Sequence, residues 1–113
     1  MDNEKIYTAQ LNASKKYNDE NINNLISSLE GLISETESVE YNDKTKTINI
    51  KVNKREHPLD DDNIRLVINS WLESLSLDEE DVHTLQKYNN YAFNITKIDY
   101  PYTEGHIIAI YLF

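Results

Sequence analysis

Residues 18–52 read NDENINNLISSLEGLISETESVEYNDKTKTINIKV. Ile22, Leu25, Ile26, Leu29, Leu32 and Ile33 recur at i, i+3, i+4 and i+7, a spacing that gathers them on one side of a helix. Asn18 and Asp19 stand just ahead of that run and offer side-chain oxygens to its first unpaired N–H groups. The period then changes from about 3.6 to 2. Val39 and Tyr41 lead into the turn-rich tetrad Asn42-Asp43-Lys44-Thr45, after which Ile48, Ile50 and Val52 alternate with Thr47, Asn49 and Lys51. This pattern predicts a β-hairpin. A helix and a hairpin, each apolar on one side, bury those sides most simply against each other, which makes the fold class α+β.

Outward from this stretch, Tyr7, Ala9, Leu11 and Ala13 alternate with Thr8, Gln10 and Asn12, which predicts a first strand over residues 6–13. Downstream, His57-Pro58 interrupts the pattern, because proline pushes the preceding residue toward extended geometry. Asp60-Asp61-Asp62-Asn63 then introduces Ile64, Val67, Ile68, Trp71, Leu72 and Leu75 at helical spacing, a second helix. A strand over 82–88, a turn at Asn89-Asn90, a strand over 91–98 and a loop over 100–105 follow. Residues 106–113 are apolar on both alternating sides, as suits an interior strand or one covered by a partner. The expected order is β-α-β-β-α-β-β-β: one domain over residues 1–113, a mainly antiparallel or mixed sheet with two helices packed on one face.

The chain has 113 residues, enough for one modest core, and its eight tyrosines supply apolar surface that disordered chains lack. It has no cysteine, so disulfides and thiolate metal sites are excluded. Met1 to Lys5 lacks the basic and apolar regions of a signal peptide, and no apolar run approaches the ~18 residues that span a bilayer. The expected location is therefore cytoplasmic. Richness in Asn, Lys, Ile and Tyr suggests AT-rich coding of the kind common in bacteria and their phages. With only two glycines, Gly31 and Gly105, neither a P-loop nor a dinucleotide fingerprint can be built. His57, His83 and His106 show no metal-ligand spacing.

The formal net charge is −9, and it is unevenly placed. Between Glu56 and Asp81 nine acids face one base, Arg65, whereas the rest of the chain is nearly balanced. Asp60, Asp61 and Asp62 sit where carboxylates cap a helix and favour its positive end. Asp78, Glu79, Glu80 and Asp81 follow the second helix, where the dipole disfavours anions, unless Ser76 and Glu79 form a capping box that opens a short further helix. If both runs lie together, their repulsion must be offset by water, cations or a basic partner.

Asp60-Asp61-Asp62-Asn63-Ile64, an Asp-x-Asp-Asn followed by an apolar residue, resembles the signature of RusA-type Holliday-junction resolvases. Asp78-Glu79 ahead of Val82 is similar to the acidic pair that follows the helix in that family, and Ser14-Lys15-Lys16 resembles its N-terminal segment. The resemblance implies that Asp60, Asp62 and Glu79 hold Mg²⁺ for phosphodiester cleavage. The family's lysine, three residues past the asparagine, is replaced here by Leu66.

A surface at −9 is also poorly matched to polyanionic DNA. The leading expectation is therefore a non-enzymatic, acidic protein-binding module without a cofactor, such as a phage-type inhibitor. Anti-CRISPR and other anti-defence proteins are of this kind. Asp60, Asp61, Asp62, Asp78, Glu79, Glu80 and Asp81 would imitate nucleic-acid phosphates and dock on a basic groove of a host nucleic-acid-binding protein. The RusA-like Mg²⁺ nuclease, or a non-catalytic relative of it, is the alternative. A homo-oligomeric structural protein built on the apolar C-terminal strand is the third reading.

Overall fold

A computed structural model describes residues 3–33, 38–52, 60–99 and 106–113. The His57-Pro58 break and the loop over 100–105 lie outside these residues. The element order is α1 (Asn3–Ser14), α2 (Asp19–Glu30), β1 (Ser38–Asn42), β2 (Thr47–Val52), α3 (Asp61–Glu73), α4 (Glu79–Lys87), a 3₁₀ turn at Asn89–Tyr91, β3 (Phe93–Asp99) and β4 (His106–Leu112). The four strands form one antiparallel sheet in the order β1-β2-β4-β3. The α+β class, the amphipathic helices α2 and α3, the hairpin and the interior position of the last strand all stand as expected.

Two segments expected as strands are helices. Over residues 6–13 a strand would turn Tyr7, Ala9, Leu11 and Ala13 to one side. Instead Ile6, Ala9 and Ala13 are buried at helical spacing, while Tyr7 and Leu11 face solvent at 66% and 45% exposure. Ala9 and Ala13 belong to both the period-2 and the helical pattern, and packing selected the helical one. Small side chains on that face let α1 lie close against α4. Residues 82–87 are also helical, burying Thr84 and Leu85. The sheet therefore carries four helices where two were expected, and β3 begins at Phe93, after the 3₁₀ turn.

All four helices contribute to a single apolar cluster on one face of the sheet. Ile22, Leu25 and Leu29 of α2, Ile64, Ile68 and Leu72 of α3, Leu85 of α4 and Ala9 and Ala13 of α1 meet Ile48, Ile50, Phe93, Ile108 and Ile110 of the strands. Asn18 caps α2, its Oδ1 accepting from the Asn21 N–H at 2.8 Å. In the hairpin turn, Asn42 Oδ1 accepts from the backbone N–H groups of Lys44 and Thr45, and Lys46 takes the left-handed backbone that closes the loop. No helix among the described residues is long and apolar enough to cross a membrane.

Candidate functional site

The acidic segment is organised by α3 and α4. Asp60 is the N-cap of α3: its Oδ1 accepts from the Asp62 N–H at 2.9 Å, and Asp61 and Asp62 occupy the first turn, where the helix dipole favours negative charge. All three are exposed. Asp78 stands at the N-cap position of α4 without a side-chain capping bond, and Glu79, Glu80 and Asp81 form the first turn. The second acidic run thus lies at the favourable end of its own helix, which removes the conflict expected at the end of α3. A short further helix does follow, as the capping-box reading expected, but its cap position is Asp78 rather than Ser76, so Glu79 is its first residue and not the third that such a box requires.

How α3 and α4 pack determines where the two runs lie. The Arg65 guanidinium donates to Asn89 Oδ1 at 3.2 Å, and Gln86 Nε2 donates to the Asn69 carbonyl at 3.0 Å and to Glu73 Oε1 at 3.1 Å. Early α3 therefore meets the far end of α4, and the two helices run antiparallel. Asp60 to Asp62 and Asp78 to Asp81 consequently lie at opposite ends of α3, separated by about 20 Å at 1.5 Å per residue. They do not form one contiguous cluster. Asp60 and Asp62 do not converge with Glu79, and among the described residues no three His, Asp or Glu side chains are placed to hold a metal ion.

The second run is tied to α1. Lys5 Nζ lies 2.9 Å from Glu80 Oε1, and Asn12 Nδ2 donates to Asp81 Oδ2 at 2.9 Å. Both Lys5 and Glu80 are more than half exposed, so this pair adds well under ~1 kcal/mol. Arg65 bonds Asn89 and lies 5.5 Å from the Phe93 ring centroid, which engages it with neutral neighbours rather than with the acids. Leu66 is 65% exposed on α3.

Charge separates by layer. Helical residues 3–33 and 60–92 hold twelve acids and five bases, whereas the described residues of the sheet layer, 38–52, 93–99 and 106–113, hold three acids and four bases. Of the twelve, only Asp81 is partly covered. The acidic surface therefore includes Glu4 of α1 and Asp19, Glu20 and Glu30 of α2, which the linear charge count did not single out because they are interspersed with lysines along the chain.

A shallow groove of about 650 Å³ crosses this layer between α2 and α3, lined by Asn24, Ser27 and Ser28 on one side and Leu66, Val67, Ser70, Trp71 and Ser74 on the other. Its signal in the sequence is Leu66, an apolar residue out of phase with the buried stripe of Ile64, Ile68, Trp71 and Leu72.

No family model, curated protein or solved structure matches the chain.

Proposed function

We propose that the chain is a non-enzymatic, acidic protein-binding module whose helical layer docks on a basic surface of a host protein, of the kind that otherwise holds nucleic acid. The carrying observation is the segregation of charge: twelve acids, nearly all exposed, on one layer, and a near-neutral sheet on the other. A phosphate-imitating surface needs carboxylates spread over tens of ångströms, so that several basic groups are met at once and the encounter is steered from a distance. Two acidic helix starts about 20 Å apart, joined by the acids of α2, suit that need better than a metal site, which needs about three converging ligands. Action as a phage-type inhibitor, anti-CRISPR proteins among them, is the specific form of this reading. It uses no cofactor.

The test is retention of host proteins on the immobilised chain, eluted by salt and compared with a variant in which Asp78, Glu79, Glu80 and Asp81 are all changed to Lys. The reading expects one basic nucleic-acid-binding protein, released by moderate salt and lost with the variant. Binding indifferent to both salt and charge reversal sinks it. Incubation with branched DNA and Mg²⁺ tests the RusA-like reading, in which Asp60, Asp62 and Glu79 act on metal. Cleavage that disappears in Asp62→Asn would replace the binding-module proposal.

A further inference from the structure

α2 and α3 pack side by side, and the Trp71 indole near the end of α3 bonds the Asn21 carbonyl near the start of α2, so the two helices run antiparallel. The groove of about 650 Å³ between them combines an apolar strip with acidic ends. Leu66 is 65% exposed, more than any other leucine or isoleucine among the described residues, and Val67 and Trp71 continue the strip. The walls are low, because Asn24, Ser27, Ser28, Ser70 and Ser74 are small. The Ser28 hydroxyl donates to the Asn24 carbonyl at 3.0 Å and the Ser74 hydroxyl to the Trp71 carbonyl at 2.6 Å, so neither donor needs water when the groove is covered. Glu20 stands one turn before Asn24, Glu30 one turn after Ser27 and Asp62 one turn before Leu66, and all three are exposed. The antiparallel packing sets Glu30 and Asp62 at one end of the groove and Glu20 at the other. α2 carries no base, and the single base of α3, Arg65, is engaged by Asn89 and Phe93.

We infer, resting on the proposed docking of the acidic layer on a basic partner, that this groove receives an amphipathic basic helix of that partner. Its apolar side covers Leu66, Val67 and Trp71, and its lysines or arginines meet Glu20, Glu30 and Asp62. Charge complementarity selects the occupant. An apolar strip alone accepts any apolar segment, but the charged groups that α2 and α3 place at the ends of this one are carboxylates, which attract a basic segment and repel an acidic one. Geometry selects the form of the occupant. Helices satisfy their backbone groups internally and offer no ladder, so an extended segment laid between α2 and α3 leaves its own N–H and C=O groups unpaired, whereas a helix pairs its own. The twelve residues of α2 and thirteen of α3 make the groove walls about 18–20 Å long, the length of a partner helix of about three turns. The small serine side chains allow that helix to approach to the ~8–10 Å at which helices pack.

Trp71 is the chain's only tryptophan and lines the groove, so its emission reports occupancy. The probe is a peptide of about 14 residues made of leucine and lysine alone, with leucines at i, i+3, i+4 and i+7. It is set against an isomer of the same composition, scrambled so that no apolar side forms. The amphipathic peptide is expected to change Trp71 emission saturably, to gain helicity by circular dichroism on binding, and to bind more weakly as salt rises. Leu66→Ser and Ser70→Arg, both at exposed positions and so of little risk to folding, each weaken binding about tenfold or more. Leu11→Ser, which removes an exposed leucine on α1, leaves the affinity unchanged. No change in emission at about 1 mM peptide, equal affinity for the isomer, binding without gain of helicity, or indifference to Leu66→Ser overturns the inference. Retention of a host protein separates it from the reading beneath it. A basic partner released by salt but held equally by wild type and Leu66→Ser overturns the groove and leaves the acidic module standing, whereas a partner that ignores both salt and charge reversal sinks both.

Discussion

The Trp71 indole N–H donates to the Asn21 carbonyl at 2.8 Å, joining α3 to the start of α2, and the same ring stacks on Tyr17 with centroids 5.5 Å apart. Trp71 is 5% exposed and Asn21 is half-buried, so this bond is partly shielded from water. Trp71→Phe keeps an aromatic ring but removes the donor and some volume. A loss of about 1–2 kcal/mol in urea unfolding, followed by far-UV circular dichroism, is expected. A change too small to measure would mean that the clamp between α2 and α3 contributes nothing.

Tyr17 carries the pH dependence at the alkaline end. Burial first, and then the neighbouring Tyr41, hold its hydroxyl well above the ordinary value of 10.0, and the hydroxyl donates to the Phe113 carbonyl. The unfolded chain releases this proton near pH 10 while the folded chain retains it. Stability from this group is therefore intact below pH 10 and declines as the pH rises beyond it. Urea titrations between pH 8 and about pH 11 should show that decline, and Tyr17→Phe should flatten it. An equally steep fall in the variant would assign the alkaline sensitivity to other groups.

The Tyr41 hydroxyl oxygen is enclosed and has no hydrogen-bond partner among the described residues. Its pKa is raised mainly by burial, with Asp43 and Asp19 adding to the effect and Lys46 opposing it. Tyr41→Phe removes an unmet polar group while keeping the ring against the core. Stability should be unchanged or higher by up to about 1 kcal/mol. A marked loss would reveal a partner for the hydroxyl.

Ser76, between α3 and α4, has φ 58°, in the left-handed region that a Cβ disfavours. Ser76→Gly removes that strain and should raise stability by about 0.5–1 kcal/mol, a few degrees in Tm. Calorimetry checks it. An unchanged or lower Tm would mean that the extra conformational freedom glycine gives the unfolded chain outweighs the relief.

The helices α2 and α3 were legible in the sequence because Ile22, Leu25 and Leu29, like Ile64, Ile68, Trp71 and Leu72, follow one period only. The hairpin was legible because its turn tetrad separates two alternating runs whose register then pairs Val39 with Ile50 and Tyr41 with Ile48. Segments 3–14 and 79–87 were not. In the first, alanines fit two periods at once. In the second, a nine-residue helix with only Thr84 and Leu85 buried has too few apolar positions to define a period.

For the candidate site, the sequence by itself determined which residues are acidic, that Asp60 would begin a helix, and that the last strand would be apolar on both sides. It could not determine distance. Asp60 to Asp62 and Asp78 to Asp81 bracket α3 in the chain, and a turn that folds α4 back along α3 sets them at opposite ends of that helix. The same packing joins the acids of α1 and α2 to theirs on one layer. Local periodicity records only neighbours within a turn or a pleat, whereas the gathering of charge on the helical layer depends on contacts between residues tens of positions apart.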